Sequence, residues 1–342
     1  MDTAQVDAAG GLIEAKRSGR ALSIVVPAAL SAAYPWLLNA DLFVAQAIGL
    51  APGPTAAFAA TLAIAMAAAI VATSVLICRN ATDPWTRAVC ALAATTPTLY
   101  VGTMNYTYLF DIFPALIWIW TALWTVLCVA ALTFSQRPPG LLARRKPALA
   151  TAHGICAASI LVLFLAPHIT NHLAGFWSGS LHIAIMDRVR FLYRNPAVEP
   201  LLFVLIAFQI GSGLVLATPR LRGRMSLLST LQAMSGLYIG IFFVGHVVPV
   251  FEARFAGTDT NWNWLTVNDA GLMAKITRVY LVPHYWTGVI ALATHLVCGL
   301  RDVLLRHGFA FAPVQRSAYA AIGIGAILSA LILLGLLGLH LA

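Results

Sequence analysis

Apolar residues run along this chain in stretches of about 20 or more, separated by short segments that carry Lys, Arg, Pro and Gly. At about 1.5 Å of rise per residue, such a stretch coiled as a helix matches the roughly 30 Å hydrocarbon core of a bilayer. The pattern predicts nine membrane helices, near 21–48, 56–78, 86–104, 110–134, 150–178, 198–218, 227–251, 279–304 and 317–341. The third is interrupted by Thr95, Thr96, Pro97 and Thr98. Pro35, with Asn39 and Asp41 close behind, is expected to break or kink the first.

Composition agrees with this pattern. The chain of 342 residues is 60% hydrophobic and only 10% charged, with a mean hydropathy of +0.85. Soluble domains carry about 25% charged residues, which excludes an ordinary water-soluble enzyme. The net charge of +9 resides in short loops between apolar runs, where it reads as a topology signal and not as a nucleic-acid surface. Fifteen of the 21 Lys and Arg fall on one side if the N-terminus is cytoplasmic. The expectation is therefore a multi-pass protein of a bacterial-type inner membrane, N-terminus inside and C-terminus outside. The first apolar run lacks a small-residue cleavage site and is expected to stay as an anchor. Cys78, Cys90, Cys128, Cys156 and Cys298 form no CxxC and read as small buried hydrophobes. The absence of CxxCH excludes the usual covalent haem attachment.

The basic, proline-rich connection 136–149 divides two unlike halves. Residues 1–135, a four-helix module, contain no histidine, whereas 150–342, a five-helix module, contain all nine. This second half carries an approximate repeat. Tyr193-Arg-Asn-Pro196 pairs with Tyr280-Leu-Val-Pro283 at an offset of 87, and Gln209 to Leu214 with His295 to Leu300 at 86. His168 and His246, 78 apart, lie near the outer ends of two helices that run in the same direction. The repeat yields an outer pair, His168/His246, and an inner pair, Gln209/His295. Two imidazoles facing each other across a bundle are suited to axial ligation of one haem iron. Gly175, Gly211, Gly213, Gly236, Gly240, Gly245, Gly288 and Gly299 would clear room for the macrocycle, and Arg188, Arg190, Arg254 and Arg278 would meet its propionates. His172, one turn after His168, is an alternative ligand or a propionate donor. His153, His307 and His340 read as helix-end residues, His182 as a loop residue and His284 as an interface residue.

The segment Thr294-His295-Leu-Val-Cys-Gly299-Leu-Arg301-Asp302-Val-Leu-Leu-Arg306-His307-Gly308 resembles the second helix of the succinate dehydrogenase cytochrome b subunit, which reads H-x-x-x-G-[IL]-R-H. Ser229-Thr-Leu-Gln232-Ala233-Met-Ser235-Gly236 resembles that family's S-x-x-H-R-x-S-G entry. The resemblance spans about residues 150–310 and extends to the related fumarate reductase cytochromes, whose four-helix core has pseudo-two-fold symmetry. It implies a cytochrome b-like bundle in which His168 and His246 hold haem b, and His295 is a further iron ligand. It also implies a ubiquinone or menaquinone contact at Ser229. Two departures stand out. Gln209 occupies the position of the fourth ligand of two-haem members, and Ala233 replaces the arginine that contacts quinone.

The resemblance implies a haem b electron-transfer protein working between a quinol pool and a partner, as part of a quinone-linked oxidoreductase with respiratory-complex subunits. The alternative is a non-redox scaffold or complex subunit that keeps the fold, which the two departures favour. A transporter would require mid-membrane charge, for which Asp41 and Asp111 are the acidic candidates in the first half. No HExxH, GxSxG or phosphate loop occurs. Trp118, Trp120 and Trp124, like Trp262, Trp264 and Trp286, read as interfacial belts. The outer connection 251–278 is long enough to cap a haem edge or quinol pocket.

Overall fold

A computed structural model describes residues 3–48, 52–134, 146–220, 225–266, 273 and 278–342. Every regular element among them is helical: α1 (Thr3–Ala47), α2 (Pro52–Asn80), α3 (Pro84–Ala93), α4 (Thr96–Leu109), α5 (Leu116–Thr133), α6 (Pro147–Ile160), α7 (Ala166–Trp177), α8 (Gly179–Tyr193), α9 (Val198–Arg220), α10 (Leu227–Phe255), α11 (Trp262–Leu265), α12 (Leu281–Arg306) and α13 (Phe311–Leu336). Eight helical segments are long and apolar enough to cross a bilayer. The chain is an all-α polytopic membrane protein. Most of the basic connection 136–149 lies outside the described residues.

The third expected span is not one helix. It is the pair α3 and α4, broken at Ala94 and Thr95. Pro97 cannot supply an N–H, and the two threonines before it bond elsewhere, one locally and one to a neighbouring helix. Thr95 Oγ1 donates to the Leu92 carbonyl at 2.6 Å, and Thr96 Oγ1 to Ser31 Oγ of α1 at 2.8 Å. The break is buried in protein, where irregular backbone is tolerated at membrane depth.

Pro35 does not break α1, which continues to Ala47. A proline inside a helix frees the carbonyl four residues earlier, and in lipid that carbonyl needs another donor. Trp120 Nε1 of α5 donates to the Ser31 carbonyl at 2.7 Å and supplies it. The same arrangement recurs in α10, where Pro249 frees the Gly245 carbonyl and Asn105 Nδ2 of α4 donates to it at 3.2 Å. Trp120 and Trp124 are fully buried, and Trp262 is nearly so. These three tryptophans are therefore core residues, contrary to the belt expected of them; Trp118, at 66% exposure, fits that expectation.

α6 and α7 form one helical run joined by a π turn at residues 161–165. Pro167 follows it, and a proline ring crowds the carbonyl four residues earlier, so an extra residue in that turn relieves the crowding. The connection after α7 is not a bare loop. It contains α8, capped by Ser178 Oγ accepting from the Leu181 N–H. α12 packs on α10 and α13, α7 on α8 and α13, α6 on α9, and α10 on α4. The halves share cores: Val279 joins the α1–α5 cluster, Met225 and Met234 pack with Val75, Cys78 and Cys90, and Val101 packs with Leu281 and Leu333.

Candidate functional site

α7 and α10 bring His168 and His246 together with ring centres 6.0 Å apart. Two imidazoles on opposite sides of one metal put their ring centres about 6 Å apart, taking about 2.0 Å per metal–nitrogen bond. Each ring is stacked by the phenylalanine four residues before it, Phe164 on His168 at 4.8 Å and Phe242 on His246 at 5.4 Å. The motif F-x-x-x-H thus occurs twice at the 78-residue offset of the histidines, a further repeat signal carried by the sequence itself. One helical turn is the spacing that stacks these side chains on a shared face.

Both histidines line a cavity of about 200 Å³ between α7, α8, α9 and α10, closed from the side of the 251–278 connection by Thr260, Asn261, Trp264 and Leu265. Its walls are largely apolar, with Phe203, Phe243 and Val250 among them. His172 and His182 extend the imidazole series, with ring centres 4.6 Å from His168 to His172 and 5.4 Å onward to His182. His182 is not a loop residue: it projects from α8, is 3% exposed, and lies 4.4 Å from the Trp262 ring. Asn171 Nδ2 lies 3.1 Å from His182 Nε2. Burial first, and Arg190 second, push the His182 imidazole down to about 4, so it is neutral near pH 7 and Nε2 accepts the Asn171 bond. The Nδ1 atoms of His172, His182 and His246 and Oδ1 of Asn171 are buried with no hydrogen-bond partner among the described residues. These four atoms belong to residues that line the cavity, where a water or a ligand group could bond them.

Three guanidinium groups border the same cavity. Arg190 pairs with Asp259 at 3.0 Å and also bonds Thr260, Arg194 Nη2 donates to Thr260 Oγ1 at 3.0 Å, and Arg254 pairs with Glu199 at 2.6 Å. Burial and the neighbouring Arg190 and Arg254 charges push the Arg194 guanidinium below its usual range. An added anion would relieve that crowding. Of the four arginines expected at this position, Arg190 and Arg254 line the cavity, while Arg188 and Arg278 do not; Arg194 was missed.

The other expected site residues are placed differently. Gln209 Nε2 lies 3.0 Å from His153 Nε2. His153 is a half-buried bundle residue and not a solvated helix end. Ser229 belongs to the capped start of α10, where its N–H donates to Ser226 Oγ. That places it 17 residues, about 25 Å along the helix, from His246. His284 is fully buried against Phe242 and is not an interface residue. His340 Nδ1 meets the Gly175 carbonyl at 2.8 Å. Five of the eight expected glycines lie against side chains, Gly175 against Trp262, Gly213 against His153, Gly236 against His295, Gly245 against His284 and Gly288 against Phe242, whereas Gly211 has open space beside it. Asp41 is 2% exposed, and neither carboxylate oxygen has a hydrogen-bond partner among the described residues.

Among the described residues no three His, Cys, Asp or Glu side chains converge to hold a bare metal ion. A pair of imidazoles suits a group that brings its own in-plane ligands, as a porphyrin does. No protein-family model, curated protein or solved structure matches this chain.

Proposed function

We propose that this chain is a membrane haem b protein that passes electrons between a quinone pool and a protein partner, with His168 and His246 as the axial ligands. The facing pair of imidazoles, each stacked on the phenylalanine one turn earlier, carries the reading. Haem would supply one-electron chemistry there. The chain's own contribution is to hold two neutral imidazoles at fixed orientation in an apolar slot, to keep water from the iron position, and to offer Arg190, Arg194 and Arg254 to carboxylates at the slot's edge. His172 and His182, neighbours in the same series, would tune the field at the site.

The test is a dithionite-reduced minus oxidised spectrum of the purified protein, with pyridine haemochrome quantification, for the wild type and for His168→Ala and His246→Ala. Loss of a b-type signal in both variants supports the reading. A wild type free of haem after expression in haem-replete cells overturns it. That result would favour the scaffold alternative, which also draws on Gln209 being engaged with His153 and on Ala233 standing where the resembling family has arginine.

A further inference from the structure

The charges bordering the cavity do not balance. Arg190 is met by Asp259 at 3.0 Å, and Glu199 turns both of its oxygens to Arg254, at 2.6 and 3.4 Å. Arg194 has no carboxylate partner of its own among the described residues; its Nη2 donates to the Thr260 hydroxyl. The other charged side chains on α8 and at the end of α10, Asp187, Arg188 and Glu252, do not line the cavity. The rim therefore carries one surplus positive charge, on the half-buried Arg194.

This rim lies at the level of lipid headgroups. The apolar span of α9, Val198–Thr218, has 21 residues and is about 30 Å long, which matches the hydrocarbon core. Glu199 at its start, Arg254 at the end of α10 and Arg194 after α8 thus share one boundary of the bilayer. Phe191 and Phe255 beside them are 85% and 86% exposed, apolar surface that lipid would cover.

From the rim inward the two helices present matching apolar stripes. Leu202, Phe203 and Ile206 follow Glu199 by three, four and seven residues, and Phe251, Val250 and Val247 precede Arg254 by the same steps. All six line the cavity, and the spacing puts each set on one helix face for about 10 Å below the charges. Phe203 lines the cavity and is still 38% exposed, with the Phe251 ring 5.5 Å away on the other helix. The cavity thus opens toward the bilayer between α9 and α10.

We propose that this crevice binds one anionic phospholipid, its phosphate held by Arg194 and an acyl chain laid between the stripes of α9 and α10. A phosphodiester carries one negative charge, equal to the surplus on the rim, and the guanidinium fork suits its oxygens. Basic pockets between membrane helices recognise such headgroups. The membrane presents this amphiphile at the right level and in the right direction, head at the arginines and chain inward. The inference does not rest on the haem reading. A haem between His168 and His246 would have Arg190 and Arg254 for its carboxylates, leaving Arg194 to the lipid.

The experiment counts lipid adducts on the full-length chain by native mass spectrometry, with dioleoyl phosphatidylglycerol and dioleoyl phosphatidylcholine as probes. One phosphatidylglycerol should bind about tenfold more tightly than phosphatidylcholine, the order set by one charge-assisted guanidinium contact. The preference should fall to near parity in Arg194→Gln and persist in Arg194→Lys, which keeps the charge and guards against loss through misfolding. Glycerol phosphate, the head without chains, should not compete at equal concentration. His246→Ala should keep the preference whether or not the protein holds haem, so failure of the haem reading is distinguishable from failure of this one. Equal binding of the two lipids by the wild type, or a preference unchanged in Arg194→Gln, overturns the proposal. Full competition by glycerol phosphate also overturns it, because the site would then belong to a soluble anion.

Discussion

Gly236 offers a test that does not depend on whether a cofactor is bound. Replacing an exposed helical glycine with alanine ordinarily stabilises by about 0.5–1 kcal/mol, because glycine loses more backbone entropy on folding. Gly211, with nothing within 4 Å of an added Cβ, should behave that way. At Gly236 the added methyl would meet His295 Cε1 at 2.7 Å and Nδ1 at 3.0 Å. The ring must retreat by roughly 0.7–1 Å to reach ordinary contact, which costs about 1–3 kcal/mol of overpacking. Retreat also stretches the Nδ1–H bond to the Gln232 carbonyl, worth about 1 kcal/mol net. Gly236→Ala should therefore be destabilised by roughly 1–3 kcal/mol after the propensity gain is subtracted. The assay is equilibrium unfolding in mixed micelles, run beside Gly211→Ala as the internal reference. If Gly236→Ala is as stable as Gly211→Ala, His295 does not rest on α10 as described.

Three further expectations follow from the packing and the electrostatics. Trp120→Phe should cost about 1–3 kcal/mol by stranding the Ser31 carbonyl, and Pro35→Ala should recover much of that by restoring a helical N–H; additive effects in the double-mutant cycle would refute the pairing. Folded His182 titrates near 4 and unfolded His near 6.5, so the unfolded chain binds the extra proton between those values. Wild-type stability should then fall, relative to His182→Asn, as pH drops from 6.5 to 4 by up to roughly 3 kcal/mol, levelling off below; parallel pH profiles would count against it. Gly335→Ala should destabilise more than Gly236→Ala, since its methyl would lie 2.8 Å from the Phe176 backbone nitrogen and backbone cannot swing aside as a ring can; thermal unfolding of the two variants side by side decides it.

The helical spans were legible because lipid enforces one rule, that backbone groups be satisfied within the segment, and long apolar runs report it directly. Irregularities were less legible. Thr95 to Thr98 marked the broken span correctly, but the same reasoning allowed a break or a kink at Pro35, where the helix runs on because Trp120, 85 residues away, rescues the freed carbonyl. Periodicity reads local spacing and cannot see a donor on another helix. The outer histidine pair followed from the repeat, because a duplicated bundle keeps equivalent positions at equal depth. The repeat paired Gln209 with His295 but gave no sign of His153, on α6, whose ring lies 6.4 Å from that of His295 and whose Nε2 is 3.0 Å from Gln209 Nε2. His182 was misplaced for a related reason: α8 is a helix in a connection too polar to stand out by hydropathy.

The first half of the chain, featureless in its chemistry, is physically joined to the candidate site. Pro249 lies three residues after His246 and strips the Gly245 carbonyl of its helical donor. Asn105 of α4 supplies the replacement, and α4 lies against α10 there, so that a Cβ on Gly245 would make ordinary contacts of 3.6 Å with Val101 and 3.7 Å with the Gly102 nitrogen. The backbone that carries His246 is thus held by a helix of the histidine-free half. In a membrane an unfilled carbonyl is costlier than in water, so α10 and α4 constrain one another. This coupling makes α4 a buttress for the His246 segment. Asn105→Leu should then loosen α10 at His246 and shift whatever property the His168/His246 pair confers, although Asn105 itself touches neither ring.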